Sequence, residues 1–570
     1  MLLYKNVMKQ IMKNRIFVFL LWILTVLTSL SYFFVKFSID GNMDLLRRKN
    51  TFQEKEVLWE NALKSNTSLA NIFLLATTLL TCFVFAMFFY RFFRANKVSI
   101  GCVKVLGMKN RELLACFCGF SIMLSMIGGV IGVVIGYFLS DVLLQAYMQS
   151  YRVTEVVKAI HVSSILLGCG VPILAYVGVV SLCFLMIRGE EPGVLLAGRI
   201  PYKRLGTAFH VVDMITGLIP TKQKFPFRIA LRKPVAILLM LVAIITFQVC
   251  VILGQSLNLS SQKIMQSQMQ GHNYEYDIRL DRVIDEEVAD GVEPYLHQEC
   301  EVIIANKNMS IPQTIIGIYG ENDMYIPEND KGIVDSTFLT DTVYISKGLA
   351  DMYGVKIGEE LQITVHGTCK SFQIADIIKN AKTACIYCNA EDLAELMGYE
   401  KGSYNGLWSM EQKIDVDGLT ESREQRIERL ERDAVSNKIS AVINQLTGVI
   451  IGVILLFLAL FINFQDNQRD MDILRLLGYQ NKEIRHLFVD VYFPIVVFFF
   501  LVGALPSVMI AKAIQKGLSL SIQDYMPFGT NIKVFVVMFL MMGGLYGCVW
   551  GIFAGRLRKG SLVRSCKESK

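Results

Sequence analysis

Charged residues make up only 19% of this 570-residue chain, against about 25% in an ordinary soluble domain. The scarcity is local as well as global. No long apolar run carries Asp, Glu, Lys, Arg or His at its centre, which counts against a proton- or ion-coupled transporter, whose path needs such a group at membrane depth. There is no Gly-Lys-Ser or Gly-Lys-Thr, hence no P-loop and no expected nucleotide site in this chain. The six histidines form no metal-spaced set and no Ser/His/Asp arrangement can be argued. A metal site, a catalytic residue and an enzymatic role are therefore not expected.

What the chain has is hydrocarbon. Hydrophobic residues are 53% of the whole and the mean hydropathy is +0.43. They fall in runs of about twenty, the length that crosses a bilayer. About eight spans are expected, at 16–35, 68–90, 116–140, 163–187, 234–255, 439–464, 487–511 and 533–555. The first run follows Lys5, Lys9, Lys13 and Arg15 and is too long for a signal-peptide core, so it reads as an uncleaved span with the N-terminus inside. Residues 36–67 read as a short, helical outer excursion.

Charge sets the topology. Residues 256–438 hold 17 Lys+Arg and 32 Asp+Glu, a net of 17 − 32 = −15, which leaves +22 for the rest of a chain whose total is +7. The loop with Arg91, Arg94, Lys97, Lys104, Lys109 and Arg111, the basic linker 188–233 and the tail after 555 all sit inside by the positive-inside rule. The expected arrangement is a polytopic α-helical membrane protein with both termini cytoplasmic, in a bacterial plasma membrane, and an acidic extracellular domain. The basic excess is a topology signal, and no nucleic-acid partner is expected.

The outer segment reads as an α+β domain. Residues 274–280, 314–319, 342–345, 361–365 and 372–377 are β-rich, 346–352 and 390–397 form short helices, and the polar helices 256–270 and 418–438 act as stalks. Cys300, Cys369, Cys385 and Cys388 allow two disulfides or none, and the Cys385–Cys388 pair lacks the partners of a zinc or redox site. Glycines recur every four residues within three spans: Gly128, Gly132 and Gly136; Gly448 and Gly452; Gly543, Gly547, Gly551 and Gly555. That spacing makes a bare helix face for close packing, within the chain or against another copy.

The most specific pattern is an internal repeat. IGCVKVLGMKNREL (100–113) and MDILRLLGYQNKEI (471–484) align at an offset of 371, matching Lys104 with Arg475, Leu106 with Leu477, Gly107 with Gly478 and Glu112 with Glu483. Each copy lies between two spans, so the parent unit is one span, an outer excursion and three more spans, used twice. The units are 1–187 and, interrupted by the large domain 256–438, the fifth span 234–255 with 439–570.

This pattern resembles the cytoplasmic loop of FtsX-like permeases, the membrane subunits of MacB- and LolC/LolE-type ABC transporters. VYISKGLADMYGVKIGEELQITV (343–365) is similar to a helix, turn and strand of the MacB-type outer domain. The resemblance implies that Lys104, Leu106, Gly107 and Glu112 form one ATPase-docking element, and Arg475, Leu477, Gly478 and Glu483 the other. It further implies a separate ABC ATP-binding subunit in two copies, and mechanotransmission that exports or removes a peptide, lipid-linked or lipoprotein substrate. The alternative is antimicrobial-peptide sensing with a sensor kinase, a cell-wall hydrolase or another extracellular partner, as in BceB-type relatives.

Overall fold

The computed structural model describes residues 8–12, 14–48, 54–151, 155–189, 226–228, 234–286, 288, 291–304, 309–320, 322–334, 340–382, 385–411, 418–522 and 525–559. Nearly all of the basic linker 188–233, and the tail beyond 559, lie outside them. In chain order the helices are α1 (Arg15–Arg47), α2 (Glu54–Ala95), α3 (Lys97–Val105), α4 (Asn110–Tyr151), α5 (Val171–Arg188) and α6 (Pro234–Met269). After six strands come α7 (Lys347–Tyr353) and, three strands later, α8 (Ala390–Met397). Two more strands precede α9 (Arg423–Asp466) and α10 (Gln468–Leu476), after which the short helix Asn481–Arg485 leads into α11 (Tyr492–Ile522) and then α12 (Ile532–Lys559).

Among the described residues seven helices are long and apolar enough to cross a membrane, and α9 adds the shorter apolar stretch Gly448–Ile462. The excursion 36–67 is helical on both arms, as extensions of the span helices: α1 runs on to Arg47 and α2 starts at Glu54, so both outlast their apolar runs. Two compact units result. One comprises 1–253, 442–511 and 531–570; the other comprises 254–441 and 512–530.

Within the first unit the α4 glycines lie flush against α1. A Cβ on Gly132 would sit 2.5 Å from Ser29 Cβ and 2.9 Å from Leu30 N; one on Gly136 would sit 2.9 Å from Phe34 N, and one on Gly128 would strike Thr25. Gly448 and Gly452 of α9 meet Cys250 and Phe247 of α6 in the same way. The α12 face behaves differently. Cβ atoms on Gly543, Gly547, Gly551 and Gly555 would meet nothing within 4 Å, so this face packs against no described part of the chain. Gly543 lines an apolar cleft of about 290 Å³ with Phe493, Phe500, Phe539 and Tyr546.

Each half also holds a strap without helix or strand before its last span, described over 155–161 before Val162 and over 525–531 before Ile532. The first strap is fixed by polar residues at the end of α1. Asn42 Oδ1 accepts from Val157 N at 2.7 Å, and Asp40 Oδ2 accepts from His161 N at 3.0 Å and from Ser164 Oγ at 2.6 Å. The other Asp40 oxygen takes Lys36 Nζ at 3.2 Å, with both side chains buried. These charges lie just beyond the apolar run read from the sequence, where buried polar groups must be paired to be tolerated.

The second unit is built on a nine-stranded mixed sheet. Its strands are β1 (Tyr276–Ile284), β2 (Val292–Ile304), β3 (Met309–Ile318), β6 (Thr342–Ser346), β7 (Glu360–Val365), β8 (Thr368–Ile378), β9 (Cys385–Asn389), β10 (Tyr404–Ser409) and β11 (Gly418–Ser422); the small hairpin β4 (Glu328–Asn329) and β5 (Gly332–Ile333) stands apart. The order is β11-β1-β10-β2-β3-β9-β6-β8-β7, and β2 pairs again with β7, so six strands close on themselves while β10, β1 and β11 continue outward. The long β2 makes this possible: Val292–Tyr295 pairs with β10 and Glu301–Ile304 with β7. Residues 418–422, read as helical from their charge, form β11 instead, because pairing with β1 satisfies their backbone. Cys300, Cys385 and Cys388 are buried free thiols and Cys369 is an exposed one, so there is no disulfide among these four.

A second core holds a buried polar knot among aromatic rings. Trp408 stacks between Tyr274 and Tyr295, with ring centroids 5.2 and 4.5 Å away, and the Arg426 guanidinium lies 4.2 Å over Tyr274. Asp277 pairs with Lys382 at 2.9 Å and accepts from the Tyr295 hydroxyl at 2.5 Å. His272 donates from Nε2 to the Asn380 carbonyl at 2.9 Å. Burial pulls its pKa down to about 3, against the opposing pull of that hydrogen bond. A histidine held neutral in the fold and free to protonate when unfolded costs stability as pH falls below its ordinary 6.5, until about pH 3. The loss is up to about 1.4 kcal/mol per pH unit. The urea midpoint of this unit, followed by tryptophan fluorescence, should fall between pH 7.5 and 5, and His272→Gln should flatten that slope.

Candidate coupling loops

The two repeat segments fold alike, turn for turn. In each, a nine-residue helix (α3 or α10) starts after an asparagine, Asn96 or Asn467. Each has one inward apolar anchor at the aligned position, Ile100 at 4% and Met471 at 1% exposure. Each then stops on a glycine in the left-handed region, Gly107 at φ +95° and Gly478 at φ +91°. The hydrogen bonds there are the pair that ends a helix on glycine. Gly107 N donates to Lys104 O at 3.1 Å and Met108 N to Val103 O at 3.3 Å; Gly478 N donates to Arg475 O at 3.0 Å and Tyr479 N to Leu474 O at 3.1 Å. Any other residue would be strained at that φ.

The following helix is capped by the repeat's glutamate. Glu112 Oε2 accepts from Lys109 N at 3.1 Å, and Glu483 Oε2 accepts from Gln480 N at 2.9 Å, completing a capping box in the second loop. These carboxylates thus fix the turn itself. Lys104 Nζ donates to the Ile187 carbonyl at 3.0 Å near the end of α5, which ties the first loop to the fourth span. Arg475 pairs with Asp472 at 3.2 Å.

Leu106 and Leu477 are left at the tips, 68% and 70% exposed. Each has an exposed apolar neighbour that the sequence reading passed over, Val105 and Leu476. Their position one residue before each leucine in both copies was the available signal. The result is two equivalent knobs, a two-residue apolar tip on a rigid helix-turn-helix, with no described neighbour around the glycine within 4 Å of a Cβ position. Such a tip suits an apolar cleft on a partner, since a preformed knob loses little entropy on docking.

Comparison with protein families gives the same duplication independently. The FtsX-like permease C-terminal family model matches twice, at residues 71–192 and 446–562. Each match contains one loop and the spans on either side of it. No curated protein matches the chain.

Proposed function

From a chain that carries two FtsX-like permease domains in tandem, an ABC transporter permease by family, we propose the following mechanism. Each loop seats one copy of a separate ABC ATP-binding subunit, which binds the ATP and Mg that this chain has no motif to hold. ATP-driven closure of the pair draws the loops together, the spans shift as packed rods, and the motion reaches the second unit. The chain passes between the two units within α6, α9 and α11 and at Thr530–Asn531, so several covalent routes carry it. The basic segments favour loops on the side of the bacterial cytoplasm and an acidic unit outside. There the unit acts on a peptide, lipid-linked or lipoprotein substrate that is exported or removed without threading a charged pore.

The observation that carries this reading is the pair of matching loops, each with a left-handed glycine and an exposed leucine. Leu106→Asp/Leu477→Asp changes only exposed side chains, so the fold should survive. An ABC ATPase is expected to copurify with the wild-type chain from its native membrane and to be lost, by tenfold or more, from the double variant. Equal recovery with both forms would remove the loops as the docking elements.

A further inference from the structure

The two straps differ in one respect. The first is fixed to α1. The second is fixed to α6 in the corresponding way, with Gly529 N donating to Ser256 Oγ at 3.0 Å and Lys263 Nζ to the Phe528 carbonyl at 3.0 Å. At Tyr525 it makes a contact that the first half has no domain to offer. The Tyr525 hydroxyl donates to Asp351 Oδ2 on α7 at 2.6 Å. Its ring lies on Gly348 of the same helix, where a Cβ would sit 2.9 Å from Tyr525 Cγ and 3.0 Å from Tyr525 Cβ.

Counting back from Val162 and Ile532, the position matching Tyr525 is Glu155, and at the loop offset of 371 it is Thr154, so neither the tyrosine nor its target belongs to the shared repeat. Helix α7 is itself rigidly set. It begins on Ser346, whose Oγ accepts from Leu349 N at 3.3 Å, and buries Leu349, Met352 and Tyr353 in the main core of the sheet. Burial and then the neighbouring Asp351 carboxylate push the Tyr525 pKa up, so the phenol remains a donor at any physiological pH.

We propose that Tyr525, Gly348 and Asp351 are positioning residues for transport: they form a coupling contact through which the strap, continuous with the last span, moves α7 and with it the β-rich unit. This rests on the permease reading above and adds a specific transmission route to it. A phenol–carboxylate hydrogen bond plus a ring seated on a bare glycine is stiff in direction yet small in area, so it can hand on a displacement without sharing a core.

The test uses the complex of the full chain with its ATPase in lipid nanodiscs, nucleotide-free and vanadate-trapped. Amide exchange in 347–353 should change at least twofold on trapping in the wild type. That change should vanish in Tyr525→Ala and in Gly348→Ala, whose methyl group displaces the ring, while ATP hydrolysis stays within about twofold. Asp351→Asn keeps an acceptor and should retain the change. The inference is overturned if 347–353 shows no response in the wild type, or if the response persists in both disrupting variants. Should no ATPase accompany the wild-type chain at all, the permease reading fails first, and that is seen before any exchange is measured.

Discussion

Gly132→Leu should lower the thermal midpoint of the solubilised chain by several degrees, while Gly547→Leu should leave it unchanged or raise it. The two glycines lie on similar four-residue stripes, yet their surroundings are opposite. At Gly132 a Cβ alone would meet Ser29 Cβ at 2.5 Å, Leu30 N at 2.9 Å and Val26 O at 3.0 Å, two of them backbone atoms of α1 that cannot rotate away. The helices must part, and forcing side-chain volume into a packed contact costs about 1–3 kcal/mol or more. At Gly547 nothing lies within 4 Å, and replacing a helical glycine recovers up to about 1 kcal/mol of propensity. At about 2–4 °C per kcal/mol, the figure for domains of about 150–250 residues, the two variants should separate in one thermal-melt experiment. Equal effects would mean that the α1–α4 seam is not closed.

Asp40→Ala should be the most damaging single change at the end of α1. This carboxylate accepts from Lys36 Nζ, His161 N and Ser164 Oγ at once. Its loss strands a Lys36 ammonium whose side chain is only 11% exposed and unties the strap before the fourth span. Breaking a buried pair on one side costs about 3–5 kcal/mol. Asp40→Asn keeps an acceptor and should cost less. Limited trypsin digestion reads the strap directly: Lys158 sits in it, held against Asp141 at 2.9 Å. Cleavage after Lys158 should be rapid in Asp40→Ala, intermediate in Asp40→Asn and slow in the wild type. Unchanged cleavage in Asp40→Ala would remove Asp40 as the residue that fixes the strap.

The spans and the loops were legible from sequence for different reasons. A run of about twenty apolar residues has one stable solution in a bilayer, so the helices announce themselves. The loops were found because the chain repeats itself, and Gly107 and Gly478 proved to need the left-handed backbone that only glycine adopts readily. The capping by Glu112 and Glu483 was not read from the sequence, which gave both only as docking residues: capping depends on where the helix begins, and Lys109 and Gln480 gave no strong start signal. In the second unit β2 escaped notice because Val292–Ile304 mixes Pro294, His297, Gln298 and Glu299 into a strand whose two halves face different neighbours. Strand β10 escaped because Gly406 reads as a breaker, whereas its missing side chain makes room for the Tyr295 ring. That 512–530 folds with the β-rich unit could not be read at all, since Tyr525 and Asp351 are 174 residues apart and no local pattern joins them.

The most direct measurement of the central claim is the native mass of the purified complex, wild type beside the two single-loop variants. One 64.3 kDa chain with two ATPase copies is the predicted wild-type species. Leu106→Asp and Leu477→Asp alone should each yield a chain that holds a single copy, because each loop seats its own. A chain that carries no ATPase, or keeps two copies when either loop is altered, would contradict the account.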